Sequence, residues 1–227
     1  MTRVPAPFLA ALFDLDGTLT SVASIWKHLH ESLDLWDGDA EDYQKQFLEE
    51  KIDYETFCRL DAARWKGKKV GELTRIAQEV PLRPGAREMR EELRSRGLKV
   101  GVVSTGLTLL SDRVHRELDL DFTIANRLVV KSGRYTGEVK INVEHGRKDE
   151  AVSLFCNQFG IDAGQVLAVG DSEGDVSLFR AVGFSLAFNP VSESVARGAT
   201  ASCRAENLLE ILIHLPLDPS PSSVTLH

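Results

Sequence analysis

The sequence predicts an α/β fold: a doubly wound, mostly parallel sheet of Rossmann-like type, with a small helical cap domain inserted after the first strand and a β-hairpin further on. Three observations predict it. Four short apolar runs, at residues 8–13, 98–103, 166–169 and 184–188, read as strands buried on both faces. Helical patterns alternate with them, the order expected of a parallel sheet covered by helices. About sixty residues separate the first two runs, too many for a crossover and enough for a small unit with its own core.

The elements follow in order. The first run ends at Asp14, within Asp14-Leu15-Asp16-Gly17-Thr18. Residues 21–83 read as the helical cap, with Trp26, Leu29 and Leu33 at helical spacing and all three tryptophans in the segment. Its aromatic side chains form either the cap's own core or a pocket for an apolar or cationic group. His28 and His30, two apart, sit on different helix faces and make no metal pair. Pro81 and Pro84-Gly85 mark the return to the main domain. Ala86, Met89 and Leu93 then share a helix face that Gly97 closes. The second run ends at Ser104-Thr105 and is followed by the stripe Leu107, Leu110, Val114, Leu118. Two β-rich stretches flank Lys131-Ser132-Gly133-Arg134 in a hairpin over 128–139. A third stripe, Ala151, Val152, Phe155 and Phe159, follows Lys148 and closes at Gly160. The third run ends at Gly170-Asp171 and the fourth at Asn189. Residues 1–20 and 84–215 thus form the core domain, and 216–227, rich in Pro and Ser, a disordered tail.

Ligands of such sheets bind at the carboxyl ends of the strands, where Asp14, Ser104 and Asp171 converge on one crevice. Asp14 and Asp16 are two carboxylates at a strand end, one able to attack phosphorus while the other shuttles a proton. Alternatively they belong to a solvated acidic turn capped by Thr18. The Ser104 hydroxyl and nearby N–H groups suit a phosphate oxygen, or else cap the next helix. Asp171 and Asp175, four apart, match the oxygen donors that magnesium prefers, or cap a turn. Lys148 by itself is an ordinary surface charge, and His145 a loop residue. The order of these pieces on the α/β pattern is what selects the chemical reading.

Composition narrows the classes. A net charge of −7 argues against a broad nucleic-acid-binding face. No apolar run approaches the ~20 residues of a membrane helix. The start lacks the apolar stretch of a signal peptide. Cys58, Cys156 and Cys203 form no CxxC pair, so neither a disulfide framework nor a zinc site is expected. The expectation is a soluble cytoplasmic protein, monomer or homodimer.

Asp-x-Asp-Gly-Thr, Ser104, Lys148 and Gly170-Asp171-x-x-x-Asp175 together make the chain resemble the haloacid-dehalogenase-like hydrolase superfamily over residues 8–190. The stretches 125–139 and 170–179 are most similar to those of phosphoserine phosphatases. The resemblance implies a Mg2+-dependent phosphomonoester phosphatase acting on a small phosphorylated metabolite. Asp14 would be nucleophile and metal ligand. Asp16 would be the acid/base, placed with Asp14 and Asp171 about the metal. Ser104 and the Thr105 N–H would hold phosphate and Lys148 neutralise it, with Thr18 in support and Asp175 supporting either Lys148 or the metal shell. A dehalogenase needs no second carboxylate, and a phosphomutase or a phospho-ligand sensor remain the other readings. The substrate-reading half departs from the pattern. Ala23 and Asp61 stand where a Glu for the substrate ammonium and an Arg for its carboxylate are expected, which makes phosphoserine a poor substrate. Thr105 and Gly174 replace a usual Gly and Asn.

Overall fold

The computed structural model describes residues 7–217. Seven strands form one sheet in the order β4-β3-β2-β1-β5-β6-β7. The central strand β1 (Ala10–Phe13) is fully buried between parallel β2 (Lys99–Leu107) and β5 (Val166–Gly170). Its side chains alternate between layers: Ala11 and Phe13 join one core, Ala10 and Leu12 the other. This two-sided burial is why the strand reads as continuous apolar sequence rather than as alternation.

Four helices follow β1: α1 (Ile25–Ser32), α2 (Gly38–Leu48), α3 (Tyr54–Ala63) and α4 (Val70–Glu79). Local chemistry starts three of them. Ser24, Asp37 and Asp53 accept hydrogen bonds from first-turn amides at the heads of α1, α2 and α3. This cap is tied to the sheet at two places. At its stem, Thr20 bridges Leu82 and the Arg83 N–H donates to the Leu19 carbonyl at 2.8 Å. At its far side, residues 67–70 bond the hairpin described next.

After α5 (Ala86–Ser95), β2 leads to α6 (Thr108–Leu118) and then to β3 (Phe122–Lys131) and β4 (Arg134–Lys140). β3 is longer than the expected hairpin arm. Its first half pairs parallel to β2, through Phe122↔Gly101 to Ile124↔Val103, and its second half pairs antiparallel with β4. The Gly67 and Val70 amides donate to the Tyr135 and Gly133 carbonyls at 2.8 and 3.1 Å, and the Tyr135 amide to Lys68 at 3.0 Å. The rest of the chain alternates: α7 (Lys148–Phe159), β5, α8 (Val176–Arg180), β6 (Phe184–Phe188), α9 (Glu193–Gly198) and β7 (Ala201–Cys203). The short β7 gave no sequence signal, being three residues long. Of the tail expected to be disordered, all but Pro216 and Leu217 lies outside the described residues.

Phe13 pairs level with Val102 and with Val169. That register brings the carboxyl ends of β1, β2 and β5 to one edge. β1 is flanked there by strands reached in opposite winding directions, the crevice where doubly wound sheets bind ligands.

Candidate active site

Asp14 leaves the end of β1 with its amide bonded to the Val169 carbonyl at 2.8 Å, so the sheet fixes its backbone. The chain then makes one wide turn over Leu15–Leu19, closed by the Thr20 amide on the Leu15 carbonyl at 2.9 Å. Gly17 has φ +80°, and a Cβ there would overlap the Asp171 carboxylate. The turn therefore packs directly onto the end of β5. Thr18 uses its hydroxyl on Asp171 Oδ1 at 2.7 Å.

Lys148, the first residue of α7, is 1% exposed. Its Nζ donates to Asp14 Oδ1 and to Asp175 Oδ1, both at 2.6 Å. The other Asp175 oxygen accepts from the Asp171 and Ser172 amides and from the Ser172 hydroxyl at 2.9–3.0 Å. Asp175 thus holds both Lys148 and the loop that presents Asp171. Asp14, Asp171 and Asp175 are all buried, with oxygens within 4.8 Å of one another. Burial pushes Asp14 well above the usual carboxylate range, and the Asp175 charge adds to it against the pull of Lys148. Burial and Asp175 raise Asp171 to about 7. Burial opposes the charge on Lys148, but Asp14 and Asp175 outweigh it and raise its pKa.

The Asp16 carboxylate lies outside this group. Its Oδ2 accepts from the Ile25 amide at 2.9 Å, at the head of α1, and its Oδ1 is buried without a hydrogen-bond partner. Burial raises its pKa to about 6. Gly106 is packed against it: a Cβ there would stand 2.9 Å from Asp16 Oδ2.

Ser104 is buried, and its Oγ accepts from the Gly106 amide at 2.9 Å. Neither Ser104 nor Thr105 caps a helix, a correction to one of the two sequence expectations. Strand β2 continues to Leu107, and α6 starts only at Thr108. The Thr105 carbonyl is a shared acceptor for Trp26 Nε1 (3.1 Å), Tyr54 OH (2.6 Å) and Asn126 Nδ2 (3.0 Å). Cap and core thereby hold the Ser104–Gly106 peptide units in one orientation.

Asn126 is the residue that sequence reasoning missed. It is fully buried, its Nδ2 lies 3.0 Å from the Tyr54 hydroxyl, and its Oδ1 accepts from the Asn142 and Val143 amides. No local pattern marks such a hub, because its partners come from three separate segments. His145 lies in the turn before α7, as expected of a loop residue. It is half-buried, edge-on to Phe47 at 5.2 Å, and burial and Lys148 lower its pKa.

Asp61 is a second correction. It does not face the substrate side of the site but is buried in the cap, with Oδ1 3.3 Å from His30 Nε2. The repulsion of a substrate carboxylate expected from it therefore does not arise. The cap aromatics divide between the two roles open in the sequence. Trp65 is buried between Trp26 and His30, at 5.6 and 4.6 Å, whereas Trp26 and Tyr54 line a cavity of about 190 Å3 together with Asp14, Asp16 and Ala23.

The family profile described as "haloacid dehalogenase-like hydrolase" matches residues 11–180. A phosphoserine phosphatase of Methanocaldococcus jannaschii is 31% identical over 181 residues, 78% of this chain and 83% of that protein. Among solved structures, one described as a phospho-aspartyl intermediate analogue of phosphoserine phosphatase aligns with a TM-score of 0.82 at 27% identity, over 92% of this chain and all of the other. A substrate-bound phosphoserine phosphatase complex aligns at 0.81 and 26% identity, over 92% and 99%. The chain belongs to the haloacid dehalogenase-like hydrolase family and is a phosphatase of the phosphoserine-phosphatase-like kind.

Proposed function

We propose that the protein is a Mg2+-dependent phosphomonoesterase that works through a phosphorylated Asp14. The observation that carries this reading is the division of labour between Asp14 and Asp16. One carboxylate is held at the end of β1 by Lys148, and the other is raised to about 6 with one oxygen unpartnered in the same cleft. Asp14 attacks phosphorus, and the bond from phosphorus to the leaving alcohol breaks as Asp16 gives its proton to that oxygen. The ionised Asp16 then takes a proton from water, whose oxygen attacks phosphorus and releases Asp14 and inorganic phosphate. Ser104 and the Thr105 amide hold the phosphoryl oxygens, and Lys148 balances their charge.

The residues fit a divalent cation. Asp14, Asp171 and Asp175 bring three carboxylates around one ammonium, an excess of two negative charges in a buried place. Hard oxygen donors of this kind are what Mg2+ takes, and Asp14 and Asp171 would hold it, with Thr18 orienting Asp171. When bound it supplies charge neutralisation of the transferring phosphoryl group. Asp16 stays free for protons because its carboxylate points to Ile25 rather than to this group. The three cysteines are free thiols, in keeping with a reducing cytoplasmic setting.

The test is Asp14→Asn beside the wild type, with phosphate release measured on p-nitrophenyl phosphate and small metabolite esters in Mg2+. The variant is expected to melt like the wild type and to lose kcat by about 10^3-fold or more, because the nucleophile is gone. Excess chelator is expected to stop the wild type. Near-normal turnover by the variant, or full activity in chelator, would overturn the assignment.

A further inference from the structure

The leaving-group side of the cavity is made by the cap, and its chemistry is legible. Trp26, Phe47, Tyr54 and Phe57 line it together with Asp14 and Asp16, and Ala23, Gln44 and His145 are among its other residues. Phe47 stacks on Phe57 at 5.1 Å with rings 12° apart, and lies 5.7 Å from Tyr54. Among the described residues, no lysine or arginine lines this space. Arg59 is exposed and ion-paired to Glu55, and Arg64 is held by Asp37, Asp39 and the Leu35 carbonyl. Lys148 is enclosed by Asp14 and Asp175. A carboxylate on the leaving group would therefore lose its water and meet no cation, a strongly unfavourable burial.

The surrounding charge has the opposite preference. A second depression shares Phe47, Tyr54 and His145 with the first and is bordered by Glu50, by Asp53, which caps α3, and by Glu144, which is ion-paired to Arg147 at 3.1 Å. Lys51, also on that border, is paired to Glu49 at 2.6 Å. Behind the aromatic wall, Trp26 stacks on Trp65, which in turn packs against His30. Aromatic faces carry the negative side of a ring quadrupole, so this wall and its rim favour a cation. Gly174 contributes room: a Cβ there would stand 3.0 Å from His145 Nδ1, so glycine lets the imidazole pack against Phe47.

Resting on the phosphatase reading above, we propose that the substrate is an amino-alcohol monophosphate: an ester whose alcohol ends in a primary or quaternary ammonium and carries no carboxylate. The ammonium sits against the faces of Phe47, Tyr54 and Trp26, and the phosphate lies at Asp14.

The experiment compares kcat/KM, in Mg2+, for phosphoethanolamine and phosphocholine with phosphoserine, glycerol 3-phosphate and p-nitrophenyl phosphate. At least one ammonium ester is expected to exceed phosphoserine and glycerol 3-phosphate by about tenfold or more, the scale of a desolvated cation–π contact. Phe47→Leu keeps apolar volume but removes a π-face, and is expected to lower the ratio of kcat/KM for the ammonium ester to that for glycerol 3-phosphate by about fivefold or more. Phosphoserine or glycerol 3-phosphate matching the ammonium esters overturns the proposal, as does an unchanged ratio in Phe47→Leu. Both results leave the phosphatase reading standing. The absence of Mg2+-dependent phosphate release from every ester, p-nitrophenyl phosphate included, overturns that reading and the proposal with it.

Discussion

Lys148 reads in the sequence as an ordinary charged residue at a helix start, yet its ammonium is almost fully removed from water. Such a group stays charged only beside compensating carboxylates, and Asp14 and Asp175 supply them at 2.6 Å. Thr18 does comparable work on the other side of the cluster, where its hydroxyl is bonded to Asp171 Oδ1. Groups that orient metal ligands typically contribute 10- to 100-fold in affinity. Thr18→Val keeps the shape and removes the bond. It is therefore expected to raise the Mg2+ concentration for half-maximal activity by about tenfold, with a smaller change in kcat at saturating Mg2+. A magnesium titration of phosphate release reads both quantities, and an unchanged half-saturation point would remove Thr18 from this role.

At the scale of elements, the hairpin β3–β4 turns out to be the seat of the cap as well as the edge of the sheet. Its glycine at 137 shows how closely the two meet. Gly137 has φ +86°, and a Cβ there would stand 3.1 Å from Lys66 Cβ and 3.3 Å from Ala63 Cα. Gly137→Ala combines a left-handed alanine with a crowded contact, a cost of about 1–3 kcal/mol. Each kcal/mol lowers Tm by about 2–4 °C in a chain of this size, so thermal melting is expected to fall by several degrees. A variant that melts like the wild type would show that the cap does not depend on this seat. The hairpin was legible from the two β-rich stretches that flank Lys131-Ser132-Gly133-Arg134. Its docking on residues 67–70 was not, because those backbone hydrogen bonds leave no mark on side-chain pattern.

For the whole molecule, the crevice concentrates buried negative charge, and this has a consequence for stability. Asp171 is raised from 3.8 to about 7 and Asp16 from 3.8 to about 6, in each case mainly by burial. A carboxyl group whose pKa is higher folded than unfolded binds its proton more tightly in the folded state. Its contribution to stability is full below the unfolded pKa, near 4, and is lost as pH rises through the folded pKa. Metal-free protein is therefore expected to lose melting temperature between about pH 4 and pH 7, and Asp171→Asn to flatten that dependence. Mg2+ competes with protons for the same oxygens, so it is expected to raise Tm more at pH 7.5 than at pH 5. Melts with chelator and with Mg2+ at the two pH values test this, and an equal Mg2+ effect at both would contradict it.

The sequence by itself determined the strands β1, β2, β5 and β6, the hairpin, the place of the inserted helices and the strand-end residues Asp14, Asp16, Ser104 and Asp171. These follow from short-range rules: apolar runs make buried strands, and polar residues at their carboxyl ends share one edge. Only the tertiary structure decided what each residue faces. It paired Lys148 with Asp14 across 134 positions and Asn126 with Tyr54 across 72. It also turned Asp61 away from the cavity and into the cap, against His30. A side chain's partner is set by which helix faces pack together, and residues at neighbouring positions on α3, such as Cys58 and Arg59, can be buried or exposed by a rotation of about 100° around the helix axis. For that reason a count along the chain placed Asp14 at a strand end on the crevice, while the residues that line the cavity beside it emerged only from the folded cap.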